Sequence, residues 1–185
     1  MRRMKSKWIW GVATAALLAL IWFGFAGRPE AQMRANAGTA AGTNNPGQPA
    51  PAFELKDLKG NTVSLAELKG QKVYVKFWAS WCPICLAGLD ELNQLSGQDN
   101  GYKVLTIVSP GYNGEQSAAD FAAWFSKRGY DNIEVLLDDG GTWAKKFGVR
   151  GYPTSVYIGS DGILAQTVPG HNANEAITAN FQSIH

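Results

Sequence analysis

The chain has 185 residues and a formal net charge of +2, from 17 basic and 15 acidic side chains. Residues 1–49 hold six of the basic residues and one of the acidic ones, which leaves 11 and 14, a net charge of −3, for the remainder. The positive balance therefore belongs to the N-terminus, and nothing in the larger part argues for a nucleic-acid partner.

Arg2, Arg3, Lys5 and Lys7 make residues 1–7 a basic start, followed by an uncharged, mostly apolar run over 8–26. A run of that length spans about 28 Å as a helix, close to the hydrocarbon core of a bilayer. The apolar region of a cleaved signal is shorter, about 7–15 residues. Length thus favours an uncleaved, single-pass anchor, while Gly24 and Ala26 also satisfy a small-x-small cleavage rule. Trp8, Trp10 and Trp22 lie near the ends of the run, as interfacial aromatics do. The positive charges stay on the cytoplasmic side, which sends the rest of the chain outward. No cysteine follows the run, so lipid attachment there is excluded. Residues 27–48 are rich in Ala, Gly, Asn, Thr and Pro and read as a flexible tether with a reach of roughly 25 Å. Residues 49–185 have the size of one domain.

Within that domain, 52–55 and 62–65 alternate apolar and polar residues around Lys59-Gly60-Asn61, a short hairpin. The near-continuous apolar run over 73–78 suits a central strand covered on both faces. Ile84, Leu86, Leu89, Leu92 and Leu95 form one helical stripe ending near Gly97. A strand follows at 103–108 and a helix at 118–127, closed by Gly129. A short strand at 135–137 and a short helix at 142–147, ended by Gly148, come next. Strands at 155–158 and 163–168 flank Ser160-Asp161-Gly162, a strong hairpin turn. A helix over 172–184 closes the domain. This alternation predicts an α/β fold, a central mixed sheet with helices on both sides.

The only two cysteines stand in Trp81-Cys82-Pro83-Ile84-Cys85, directly after the apolar strand. Pro83 suits the first helical position, which makes Cys82 the N-cap. There its sulfur meets the free N–H groups of Ile84 and Cys85 and the positive end of the helix dipole. A thiolate so placed has a lowered pKa and is the nucleophile. Cys85, nearly one turn on, is the more buried, resolving thiol. Three other uses of the pair compete. A zinc site needs two further ligands, and the two histidines, His171 and His185, stand far away in sequence. A structural disulfide is not needed by a domain of this size. A copper chaperone wants wider cysteine spacing and a well-placed histidine.

Residues 77–85, Phe-Trp-Ala-Ser-Trp-Cys-Pro-Ile-Cys, resemble the active-site segment of the thioredoxin superfamily. Residues 148–154, Gly-Val-Arg-Gly-Tyr-Pro-Thr, resemble its second hallmark, the loop with a cis proline. The order and interval match, and the resemblance covers nearly all of 50–185. Pro-Ala-Phe-Glu-Leu at 51–55 and the anchored start are similar to the extracytoplasmic TlpA/ResA-like branch. Val108-Ser109-Pro110-Gly111 looks like the thioredoxin-like proteins that supply electrons to extracytoplasmic methionine sulfoxide reductases.

The resemblance implies a thioredoxin fold with an N-terminal hairpin extension and a membrane-anchor helix. It implies a redox-active Cys82–Cys85 disulfide without a cofactor or metal. It implies that Pro153 is cis and faces that pair, with the Tyr152 backbone as an edge for a substrate segment, and that Trp81, Pro83 and Ile84 line the docking surface. The implied location is the bacterial cell membrane, with the domain on the extracytoplasmic side. The implied partners are an oxidised methionine sulfoxide reductase and a CcdA/DsbD-like membrane electron donor. Apocytochrome c is the alternative client, and oxidation of substrate thiols a further possibility within the same chemistry.

Two departures stand out. Lys76 replaces the acid that most thioredoxins carry. It either modulates the pKa of Cys85 or runs its stem through apolar surface to put its ammonium in water. Gly88 and Asp90 occupy the places where anchored relatives often have glutamate and proline, which leaves the proton donor unassigned and predicts an unkinked helix.

Overall fold

A computed structural model of the chain describes residues 46–185. The expected basic start, the anchor or signal segment and the tether up to residue 45 lie outside the described residues. Among those described, no helix is long and apolar enough to cross a membrane.

Seven strands form one sheet: β1 (Glu54–Asp57), β2 (Thr62–Ser64), β3 (Val73–Phe77), β4 (Lys103–Val108), β5 (Val135–Leu137), β6 (Thr154–Ile158) and β7 (Leu164–Pro169). Their order is β2-β1-β5-β4-β3-β6-β7. The helices are α1 (Pro83–Ala87), α2 (Leu89–Ser96), α3 (Ala118–Phe125), α4 (Thr142–Lys146) and α5 (Asn174–Gln182). β3 is central, parallel to β4 through Val75↔Leu105 and antiparallel to β6 through Val75↔Val156. Covered on both edges and both faces, it is buried along its whole length.

Successive side chains of a strand leave opposite faces of the sheet. Val73, Val75 and Phe77 enter an apolar core with Phe53, Leu105, Ile107 and Phe147, beside Ala144 of α4. Tyr74, and Trp78 just past the strand, enter the other core with Cys85, Leu89, Phe121 and Ile177, beneath α1, α2, α3 and α5. A mixed sheet with helices on both faces is the thioredoxin fold expected from the sequence.

Several boundaries differ from the predicted ones. β1 and β2 pair antiparallel, Leu55 opposite Val63, around Gly60, whose φ of +85° favours glycine. Leu65 does not extend β2. It opens a 3₁₀ turn (Leu65–Leu68), because the Ser64 side chain accepts the Ala66 N–H and offers the backbone an alternative to the ladder. β1 also pairs with β5, Lys56 opposite Leu137.

The stripe from Ile84 to Leu95 is two helices rather than one. Gly88 interrupts it at φ −97°, ψ 6°, its N–H returning to the Cys85 carbonyl at 3.2 Å. α2 restarts with Asp90 and Glu91 in its first turn, where acids oppose the dipole favourably. The break needs no proline. Glycine is a poor helix former, and the space a side chain would take is filled by His171: a Cβ on Gly88 would meet its Cε1 at 2.8 Å.

Candidate active site

Three segments meet at the C-terminal end of β3: residues 78–82, the loop 109–117 after β4, and the loop 148–153 before β6. Cys82 and Cys85 form a disulfide, with their Cα atoms 5.2 Å apart. Cys82 is the N-cap of α1, at φ −85° and ψ 110°, with Pro83 at the first helical position. Its Sγ accepts one backbone hydrogen bond, from the Cys85 N–H at 3.3 Å, where the sequence suggested a second from Ile84. Because α1 ends after five residues, the dipole behind Cys82 is that of a short helix. The local N–H is therefore the main donor to this sulfur.

Both sulfur-bearing residues are buried, but the rim around them is not. Trp81 is 51% exposed and Ile84 is 60% exposed, the large apolar side chains most open to solvent among the described residues. Pro83 is exposed as well. The Tyr152–Pro153 peptide bond is cis, and Pro153 is buried while Tyr152 is half-buried. The Tyr152 carbonyl oxygen lies 3.6 Å from Cys82 Sγ, where it can accept from the thiol once the disulfide is reduced. The rings of Trp81 and Tyr152 meet edge to face at 6.0 Å. Burial pushes the Tyr152 phenol up, against the opposing pull of Ser109 and Asn113. The structure thus brings Trp81, Cys82, Pro83, Ile84, Cys85, Tyr152 and Pro153 together.

Lys76 lies beneath this surface. Its neighbours in register are Thr106 on β4 and Ser155 on β6. It leaves β3 on the face that carries Tyr74, the face that receives Cys85 and Leu89. At 3% exposure nearly all of the residue is buried, as the stem of the snorkelling alternative requires, and only a small part of its surface reaches solvent. Burial lowers its pKa from 10.5 to about 8, and the negative charge of Glu91 opposes that fall.

Sequence reasoning missed two supports of the site. Glu115 is buried, and its two carboxylate oxygens accept from the Ser80 N–H and the Ser80 hydroxyl, each at 2.6 Å. This fixes the segment entering Trp81-Cys82 to the loop after β4. A lone acid in a glycine-rich loop was its only sequence signal. Asp138, also buried, accepts from the N–H groups of Trp143 and Ala144 and from the Ser109 hydroxyl, tying the same loop to α4. His171, 86 residues from Cys85 in sequence, stands against Gly88, three residues beyond that cysteine.

Comparison with known proteins is consistent with this geometry. A family model described as "AhpC/TSA family" matches residues 46–167. An uncharacterised protein of Haemophilus influenzae is 51% identical over 125 residues, 67% of this chain and 80% of the relative. The thiol-disulfide oxidoreductase ResA of Bacillus thuringiensis is 28% identical over 141 residues, 75% of this chain and 78% of the relative. Among solved structures, the exposed lipoprotein thioredoxin Etrx1 of Streptococcus pneumoniae superposes with a TM-score of 0.70 at 44% identity, over 72% of this chain and 100% of the other.

Proposed function

The chain belongs to the AhpC/TSA family and is a thiol–disulfide oxidoreductase, and from that premise we propose that it is a membrane-anchored reductase of disulfides in extracytoplasmic partner proteins. Its client is an oxidised methionine sulfoxide reductase, and a CcdA/DsbD-like membrane protein returns electrons to it. The run Val108-Ser109-Pro110-Gly111 supports that client, and the basic start followed by the apolar run 8–26 supports the anchor. A reductant in an oxidising compartment needs electrons brought through the membrane, and a tether keeps the domain near their source.

One observation carries the mechanism: Cys82 Sγ accepts the Cys85 N–H at the start of α1, beside the exposed apolar rim of Trp81 and Ile84. The client segment lies along Trp81, Pro83, Ile84 and the Tyr152 edge next to Pro153. The Cys82 thiolate attacks one client sulfur, forming a mixed disulfide, and the other client sulfur leaves as thiolate and takes up a proton. Cys85, deprotonated, then attacks Cys82 Sγ. The Cys82–client bond breaks, the Cys82–Cys85 disulfide forms, and the client departs with two electrons gained. Lys76, on the same core face, favours the anionic form of Cys85.

The deciding measurement is the reduction potential of the Cys82–Cys85 couple. Potentials of such proteins run from about −270 to about −120 mV. A value near the oxidising end refutes the reductant assignment. Cys85→Ser is expected to accumulate mixed disulfides through Cys82. Capture of cytochrome precursors in place of sulfoxide reductases moves the client to apocytochrome c.

A further inference from the structure

The turn that delivers Cys82 is held from outside its own segment. The Cys82 N–H donates to the Ala79 carbonyl at 3.2 Å, which leaves Ser80 and Trp81 at the two middle positions of the turn. Glu115 clamps the first of these. One carboxylate oxygen accepts the Ser80 N–H, and the other accepts both the Ser80 hydroxyl and the Gln116 N–H, the last at 2.9 Å. The Gln116 side-chain amide donates back to Ser80 Oγ at 3.3 Å. Three converging donors call for a group that only accepts, and a carboxylate is such a group. Glu115 is buried, and among the described residues no cation pairs with it, so it depends on those donors. The second middle position carries the exposed ring of the rim. Trp81 Nε1 lies against Gly114, where a Cβ would stand 3.7 Å away, while the ring meets Tyr152 on its other contact. Gly114 immediately precedes Glu115 in a loop folded on itself, with the Glu115 N–H donating to the Tyr112 carbonyl at 3.1 Å. Asn113 and Gly114, at φ +48° and +83°, form its exposed tip. One loop therefore grips the backbone before Trp81 and also flanks the indole.

We propose that Glu115 is a positioning residue for client docking: by clamping Ser80 it fixes the turn that presents the Trp81 ring, with the Asn113–Gly114 tip as the flank of the rim on that side. This rests on the reading of Trp81 as a docking residue. Glu115 works through Ser80 and Trp81 and takes no part in the exchange between sulfurs. The rim it sets is apolar, formed by Trp81, Pro83 and Ile84, so the matching client is a protein segment with an apolar side chain beside its disulfide. A small disulfide meets Cys82 without needing the indole in a fixed place. The clamp thus governs reaction with protein disulfides and has little bearing on small ones.

The test follows oxidation of the reduced full chain in a single turnover by two probes, insulin as a protein disulfide and hydroxyethyl disulfide as a small one. In Glu115→Ala the half-saturating insulin concentration is expected to rise about fivefold, while the rate with hydroxyethyl disulfide changes by less than about twofold. Glu115→Gln leaves one of the three donors facing an amide N–H, and is expected to give a smaller rise, about twofold. In a Trp81→Ala background, Glu115→Ala is expected to add nothing further, because both act on the same contact. An insulin profile of Glu115→Ala that superimposes on wild type overturns the proposal. Equal losses with both disulfides, or a full loss persisting without Trp81, overturn it as well, since each makes the clamp merely structural. Should Glu115→Ala fail to fold, Glu115→Gln, alone and with Trp81→Ala, decides on the same terms. If Trp81→Ala itself leaves the insulin profile unchanged, the docking reading of the rim fails. A changed profile there with an unchanged one in Glu115→Ala sinks the clamp alone.

Discussion

Lys76→Met removes a buried charge while keeping an unbranched apolar stem of similar length, and its consequence follows from the pKa. A fall from 10.5 to about 8 corresponds to about 3 kcal/mol against the charged form in the fold. Between those two values the unfolded chain binds the proton that the folded chain has lost. Stability therefore rises with pH from about 8 towards 10.5, and the cost is fully present below 8. From pH 7 to 9.5 the gain in wild type is about 2 kcal/mol, by integration over that window. In Lys76→Met this pH-dependent gain should vanish, and at pH 7 the variant should be more stable by about 2–3 kcal/mol. Denaturant unfolding of the oxidised protein at both pH values measures it, because in the disulfide neither cysteine titrates. If the two proteins show parallel pH dependence, Lys76 is not depressed and its ammonium is solvated after all. The same variant is expected to slow the release of a client from Cys82, so stability and turnover should move in opposite directions.

Two further substitutions separate docking from folding. Trp81→Ala removes an exposed ring, so unfolding free energy should change by less than about 0.5 kcal/mol. The KM for a disulfide client should rise about tenfold with kcat nearly kept, as loss of an aromatic anchor predicts, and steady-state reduction kinetics read both. Asp138→Ala strands the Trp143 and Ala144 N–H groups and the Ser109 hydroxyl in the interior, and should cost about 2–4 kcal/mol in denaturant unfolding. Asp138→Asn should recover part of that loss.

The strands and the cysteine pair were legible in the sequence because they rest on local signals. A near-continuous apolar run marks β3, the turn Ser160-Asp161-Gly162 marks the hairpin of β6 and β7, and proline after Cys82 marks the start of α1. The break at Gly88 was not legible. The leucine stripe continues across it, and glycine within a helical pattern does not itself require an interruption. What makes the break hold is His171 arriving from the far end of the chain, a contact with no trace in the local pattern. The burial of Lys76 was illegible for a related reason. Its neighbours along β3 are apolar, which fits both a stem running to water and a buried amine. How much of its stem is covered depends on the strands beside it and on the helices packed over that face, which the pattern along β3 does not show. Glu115 was missed because its partner, Ser80, lies 35 residues away.

The two faces of the sheet divide the work. The face bearing Val75 and Phe77 is filled by aliphatic and aromatic side chains, and its role is burial. The opposite face carries the sulfurs, Lys76, and a hydroxyl pair in which Tyr74 and Ser155 lie 2.7 Å apart, extended by the Asn172 amide. Burial drives the Tyr74 phenol far above its ordinary range, so it stays a neutral partner at any working pH. Lys76 differs, because its pKa of about 8 lies within reach of neutral conditions. During turnover two sulfurs on this face pass between a bond and two thiols, and one of them must pass through an anion. In a wholly apolar interior that anion would cost several kcal/mol without a partner. The proposed role of Lys76 is to be that partner, a charge kept on this face although burial depresses its pKa.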